Sequence, residues 1–490
     1  MSPTTAVAGV ALAVAARASS GNERPKMTVS TAPTTAPFFS RERIIAPPGW
    51  SRWLVPPAAL SIHLSVGAAY SWSVFKKPLE GALGISGTLS ALPFTIGIVM
   101  LGLSAAVFGT WVDRNGPRMA MFAAMCCFCG GWLVGAAGLA LGQYWLVLLG
   151  YGVLGGIGWG IGYISPVSTL IKWFPDKPGM ATGLAIMGFG GGALIASPWS
   201  TAMLGAFGTD TAGIAKTFVV HGLAYAVFMS LGWLLVRVPR PDWRPTGWTP
   251  PPVQAGSIVT GGQVSAGNAV KTPQFWLLWV VLCFNVTAGI GILEKASPIY
   301  QDYFPMAGAA AGALAAAAAG YVAMLSLGNM LGRIGWSSLS DVIGRKNAYR
   351  LYLGVGALLY LTITVMENSN KLIFLIATIL ILSFYGAGFA TVPAYLRDLF
   401  GTFQVGAIHG RLLTAWSAAG ILGPIIVNSV ADSQAAAGKD GPALYTVSFS
   451  IMIGLLVIAL VCNELIRPVS SKWHEPEGNP AKSVAKEVAR

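Results

Sequence analysis

Charge is what this sequence has least of. Asp, Glu, Lys and Arg together make up 10% of its 490 residues, against roughly 25% in an ordinary soluble domain. Hydrophobic residues make up 54% and the mean hydropathy is +0.64. A soluble fold could bury such a chain only by having almost no surface. Cysteine is scarce too: Cys126, Cys127, Cys129, Cys283 and Cys462 all lie inside apolar runs. The CCFC stretch has no second cluster to complete a metal tetrad, so no metal is expected. There is no HExxH, no GxSxG and no paired acidic motif at membrane depth, so neither an enzyme nor a cofactor is expected. No filter segment or ring of one residue type marks a channel. The net charge of +13 is spread between apolar runs rather than along a stripe, which argues against nucleic acid as a partner.

What the sequence has in abundance is long apolar segments. They predict helices over about 53–75, 88–111, 119–141, 144–172, 179–206 and 217–237, then over 274–300, 310–338, 348–366, 371–397, 405–430 and 443–466. Each is close to the roughly 20 residues that span a bilayer. The fold class expected is an all-α membrane protein of twelve transmembrane helices in two six-helix bundles, 51–237 and 274–467. The stretch 238–273 is rich in Pro, Gly and polar residues and reads as a cytoplasmic linker. Residues 468–490 read as a cytoplasmic tail. Residues 1–50 read as a disordered tail, with no packed contacts through 45. Its apolar part, Val7 to Ala16, is too short to span. It is either a targeting segment or an extension upstream of a true start at Met27.

The loops orient the chain. With both termini inside, the inner loops hold Arg114, Arg118, Lys172, Lys177, Arg237, Arg240, Arg244, Lys271, Arg345, Lys346, Arg350, Arg397 and Arg411. The outer loops hold only Lys76, Lys77, Lys216, Lys371 and Lys439. That asymmetry predicts cytoplasmic termini, in a cell (inner) membrane. The halves also repeat. Asp113-Arg114-Asn115-Gly116 returns 228 residues later as Asp341-Val342-Ile343-Gly344, and Pro166 and Gly183 return 227 residues later as Pro393 and Gly410. Two landmarks with one offset predict duplicated bundles about a pseudo-two-fold axis along the membrane normal, with 163–184 matching 390–411 and a binding site at their interface.

The loops GTWVDRNGPR (109–118) and SSLSDVIGRK (337–346) resemble the paired loop signature of the major facilitator superfamily. The resemblance covers about residues 50–466. It implies that Gly109, Asp113, Arg114, Gly116, Arg118, Asp341, Gly344 and Arg345 form conformational-switch loops. Three further stretches, WLVPPAALSIHLSVGAAYSWSVF (53–75), FWLLWVVLCFNVTAGIGILEKASP (275–298) and GAIHGRLLTAWSAAGILGP (406–424), are similar to the oxalate/formate antiporter family, which exchanges small carboxylates. The function expected is alternating-access transport of a small organic anion by a monomer in a lipid bilayer.

Arg333 lies inside the eighth helix, where a buried Arg costs roughly 2.5–3.5 kcal/mol on insertion scales. It is either an anion anchor, whose guanidinium matches a carboxylate with two hydrogen bonds, or a helix-end residue reaching for headgroups. The cost favours the anchor, and the resemblance places a substrate-binding Arg here. Where the resembled oxalate transporter has a second cation, this chain has Trp416. That substitution points to a monocarboxylate such as formate, lactate or pyruvate over a dicarboxylate. Asn329 lies one turn before Arg333, where similar proton-coupled carriers have an Asp; exchange and proton symport both stay open. Glu294 adjoins Lys295 and reads as an outer ion pair. His63 reads as a packing residue or proton carrier, and His409 and Arg411 as residues of the cytoplasmic mouth. The resemblance implies that aromatics cage the substrate: Tyr70, Trp72, Tyr163, Tyr385 and Phe389.

Overall fold

The computed structural model describes residues 38–40, 42–240, 243–249, 258–305, 311–366 and 370–476. Twelve long helical rods account for most of them. The first half holds α1 (Val55–Val66, Gly67–Ser71 and Ser73–Leu83), α2 (Gly87–Asn115), α3 (Pro117–Ala140), α4 (Tyr144–Trp173), α5 (Pro178–Phe207) and α6 (Thr211–Leu235). The second holds α7 (Pro273–Glu294 and Ala296–Tyr303), α8 (Ala311–Ile343), α9 (Arg345–Met366), α10 (Lys371–Phe400), α11 (Val405–Ala436) and α12 (Thr446–Leu465). Ten are long and apolar enough to cross a membrane. The other two are α1, divided by its 3-10 stretch, and α8, whose 33 residues rise about 50 Å.

Local chemistry sets the ends. Ser86, Asp210, Thr272 and Asn370 cap the starts of α2, α6, α7 and α10 by accepting from a backbone N–H three residues on. Proline opens α3, α5 and α7, where its missing N–H costs nothing. Gly116 and Gly344 stop α2 and α8 with the same positive φ of 84°, a conformation that only glycine adopts freely. The two repeated loops therefore turn alike.

Packing obeys the same repeat. Within the halves α3 lies on α6 and α9 on α12; α2 lies on α4 and α8 on α10; α1 lies on α5 and α7 on α11. Between the halves α5 packs on α8 and α2 on α11. Close glycine contacts fix that interface. A Cβ on Gly183 would collide with the Ser337 hydroxyl and stand 2.6 Å from the Arg333 carbonyl oxygen, and one on Gly410 would collide with the Ala105 carbonyl. Gly183 and Gly410 are 227 residues apart, and Ala105 and Arg333 are 228 apart, so Ala105 is the pseudo-symmetric mate of Arg333. Gly183→Val is expected to destabilise the fold by ~1–3 kcal/mol through overpacking, read as a fall in the melting temperature in detergent. Gly205→Ala, with nothing within 4 Å of the added carbon, is the control; equal melting of the two variants rules the close-approach account out.

The tail departs from expectation. Residues 1–37 and 41 lie outside the described residues, but Phe39, Ile44 and Ala46 are packed. Ile44 is fully buried, and Phe39 sits 5.0 Å from the Phe122 ring and 6.0 Å from Trp233. Ala46 donates to the Val238 carbonyl and Val238 to that of Ile44, both at 2.9 Å. Phe39, Ile44 and Ala46 supply the apolar contacts, which their polar surroundings hid. The linker is likewise ordered at its far end. Thr260 and Val264 donate backbone bonds to the carbonyls of Asp398 and Phe400, and the Gln263 side chain accepts from the N–H groups of Thr402 and Phe403.

Candidate functional site

Arg333 projects from α8 into the interface between the halves and is fully buried. It does not reach a headgroup region. Glycines clear its path: a Cβ on Gly190 would lie 3.1 Å from Nε, and one on Gly386 would lie 3.0 Å from Cγ. Nε donates to Asn329 Oδ1 at 2.9 Å and Nη1 to the Ile186 carbonyl at 3.3 Å, while Nη2 has no hydrogen-bond partner. Among the described residues no carboxylate pairs with it. The guanidinium carbon lies 5.7 Å from the Phe189 ring centre and 5.5 Å from that of Phe389, within the range of cation–π attraction. A buried cation held only by neutral groups carries a desolvation cost that its hydrogen bonds offset only in part.

Aromatic rings wall this position. Trp416 lies 4.3 Å from Phe389, 5.3 Å from Phe189 and 5.4 Å from Tyr163, and Tyr385 lies 5.3 Å from Phe389. Tyr70 packs edge-on against Phe189 at 5.2 Å and shares a 3.0 Å hydroxyl–hydroxyl bond with Tyr385, tying α1 to α10. So Arg333, Asn329, Trp416, Tyr385, Phe389, Tyr70 and Tyr163 come together. Trp72 does not. Its ring packs at a tilt on Tyr151 with centres 4.2 Å apart and its Nε1 donates to the Ser90 carbonyl, inside the first bundle. Two residues apart on a 3-10 turn lie about 240° around the axis, so Tyr70 and Trp72 face different ways.

Two residues join the group unexpectedly. Phe189 stands 227 residues before Trp416, so the two are mates that pack on each other across the pseudo-axis; the repeat offset alone identifies it. His409 is buried at 1% exposure with its ring 5.8 Å from Tyr163, not at a mouth. His63 is fully buried, its Nε2 sharing a 3.1 Å bond with the Tyr163 carbonyl.

The repeated loops sit at the basic end of the molecule and bind across the halves. Asp341 accepts from the N–H groups of Gly179 and Met180 at 2.8 and 2.9 Å, capping α5 from α8. Asp113 accepts from Ala407 N–H at 2.9 Å, capping α11 from α2. Each carboxylate thus meets the positive end of a helix dipole in the opposite half. Arg345 braces the first cap, 2.6 Å from Asp341 and 3.1 Å from Asp398. Gly109 lets α11 approach, since a Cβ there would be 2.8 Å from Ala407 Cα. Arg118 is buried at the start of α3, with Nη2 3.4 Å from the Leu234 carbonyl, while Arg114 is exposed. In the loop before α5, burial pushes the Asp176 carboxyl up, but two bonds from Arg52 at 2.6 and 3.0 Å outweigh it and hold it below its ordinary value.

Comparison with known proteins agrees with this fold. The family description matching residues 58–424 is the Major Facilitator Superfamily. An oxalate:formate antiporter of Oxalobacter formigenes is 27% identical over 375 residues, covering 76% of this chain and 83% of that one. An apicoplast pyruvate carrier of Toxoplasma gondii is 22% identical over 398 residues, covering 70% and 69%. Among solved structures, an E. coli fucose:proton symporter superposes with a TM-score of 0.60 at 14% identity, over 84% of this chain and 99% of that one.

Proposed function

The chain belongs to the Major Facilitator Superfamily, and from that premise we propose that it is an exchanger of small monocarboxylates working by alternating access. The observation that carries this reading is the guanidinium of Arg333, buried without a counter-ion among the described residues and with Nη2 unpartnered. A buried donor left unmade costs about 1–3 kcal/mol, and a carboxylate supplies both the charge and the acceptors. The single cation fits one carboxylate better than two. Asn329, bound to Nε, is an amide with no proton to lose, which favours exchange over proton symport. The names of the antiporter and pyruvate-carrier relatives lie in the same chemical class. The bundles 51–237 and 274–467 are the rocking bodies, the protein works as a monomer in the inner membrane, and the basic end with both termini faces the cytoplasm.

The test is counterflow in proteoliposomes with a panel of labelled formate, acetate, lactate, pyruvate and oxalate. Monocarboxylate uptake driven by internal monocarboxylate is expected; a panel with no carboxylate exchanged overturns the proposal. Trp416→Lys, which restores a second charge beside Arg333, is expected to shift preference toward oxalate by about 5–150-fold, or ~1–3 kcal/mol. An unchanged preference in a folded variant means that position 416 does not set the charge of the cargo.

A further inference from the structure

We infer that His409, with Tyr163, is a second polar contact for the substrate, and that the cargo is therefore a short monocarboxylate carrying an oxygen on the carbon next to its carboxylate, a 2-hydroxy or 2-oxo acid. This rests on the carboxylate reading of Arg333 and adds to it what holds the other end.

The pseudo-symmetry shows where the protein leaves a polar group without a partner. Thr182 on α5 and His409 on α11 are mates 227 residues apart, as are Tyr163 on α4 and Ala390 on α10. In one copy the Thr182 hydroxyl donates to the Ala390 carbonyl at 2.5 Å. In the other copy the corresponding carbonyl, that of Tyr163, is taken by His63. His409 is left with Nε2 buried and unpartnered, and the Tyr163 hydroxyl and Trp416 Nε1 are unpartnered too. All three side chains are at least 99% buried. They belong to the ring cluster that walls Arg333: Tyr163 lies 5.8 Å from His409, 5.4 Å from Trp416 and 5.5 Å from Phe189.

The chemistry of this group is not that of a second anion site. An indole N–H donates, a phenol does both, and a neutral imidazole nitrogen donates or accepts according to its tautomer. Neutral groups of that kind match a hydroxyl or carbonyl oxygen. Trp416 and Tyr163 are in direct ring contact with Phe389 and Phe189, the two rings that flank the Arg333 guanidinium, so an oxygen that reaches them stands close to the carboxylate. An unsubstituted acid such as propionate fills the apolar walls but leaves all three groups unpaired.

The test measures, for the full-length wild-type protein in proteoliposomes, how strongly lactate, pyruvate and propionate compete with labelled exchange. Lactate or pyruvate is expected to outcompete propionate by about tenfold or more, because a site built to bond an oxygen rejects the analogue lacking it. Equal competition by all three overturns the inference while leaving the carboxylate reading intact; competition by none also overturns the inference, and the carboxylate reading falls with it only when formate, acetate and oxalate fail to exchange as well. The same ratio, taken within each variant, is expected to collapse toward one in His409→Leu and to recover in part in His409→Gln, whose amide can again bond an oxygen. A wild-type ratio kept in His409→Leu also overturns the assignment.

Discussion

Arg333→Ala is expected to abolish carboxylate exchange, lowering it by about 100-fold or more, since a charge-assisted pair of bonds worth ~3 kcal/mol disappears. The fold is expected to survive. Among the described residues Arg333 has no counter-ion to strand, and removing an uncompensated buried charge relieves a desolvation cost that offsets the cavity left by its long side chain. The melting temperature in detergent should therefore stay near that of the wild type while counterflow falls to background. Arg333→Lys should recover little, because an ammonium cannot present the planar fork and would lose the bonds that Nε and Nη1 make to Asn329 and Ile186. Wild-type exchange in the alanine variant would falsify the anchor, and a protein that unfolds without Arg333 would make its role one of packing.

Asp341→Asn is expected to loosen the basic end. The carboxylate holds two N–H groups of α5 and the Arg345 guanidinium together. Asn keeps the shape but loses the charge, and with it the pairing to Arg345 and the match to the helix dipole. A loss of ~2 kcal/mol corresponds to a shift of about 30-fold toward the form open at that end. Spin labels at exposed Lys177 and Val342, with the five native cysteines replaced, report it directly. Dipolar broadening between them should be strong in the parent and weak in the Asp341→Asn background. Undiminished broadening would show that the cap does not hold the ends together.

Helix number, the repeat and the cation at the centre were all legible in the sequence, because apolar length, a constant offset and a buried charge each leave a local trace. The Gly116 and Gly344 stops and the Gly183 and Gly410 contacts follow from the same repeat. What failed to show were facts of direction. Tyr70 and Trp72 share one apolar run, and only the rotation of the helix sends the first to Arg333 and the second to Tyr151. His409 follows a loop and precedes an Arg, so it read as a mouth residue until the break near Leu413 carried it against Tyr163. Phe189 looked like any phenylalanine among glycines, although applying the 227-residue offset to Trp416 would have named it. The packing of Phe39, Ile44 and Ala46 was hidden because it is against distant residues, Phe122, Trp233 and Val238.

One consequence of the duplication lies in what was not duplicated. Ala105 stands where a mate of Arg333 would, and both positions are fully buried. A vessel with equal halves treats the two ends of its contents alike, and anything it holds can sit either way round. With the proposed anchor on one side and a methyl group on the other, the cargo would have a head and a tail. The head would belong to the second half of the chain whichever side of the membrane is open. A passenger that keeps hold of Arg333 crosses without turning over, facing the same wall when it leaves as when it entered.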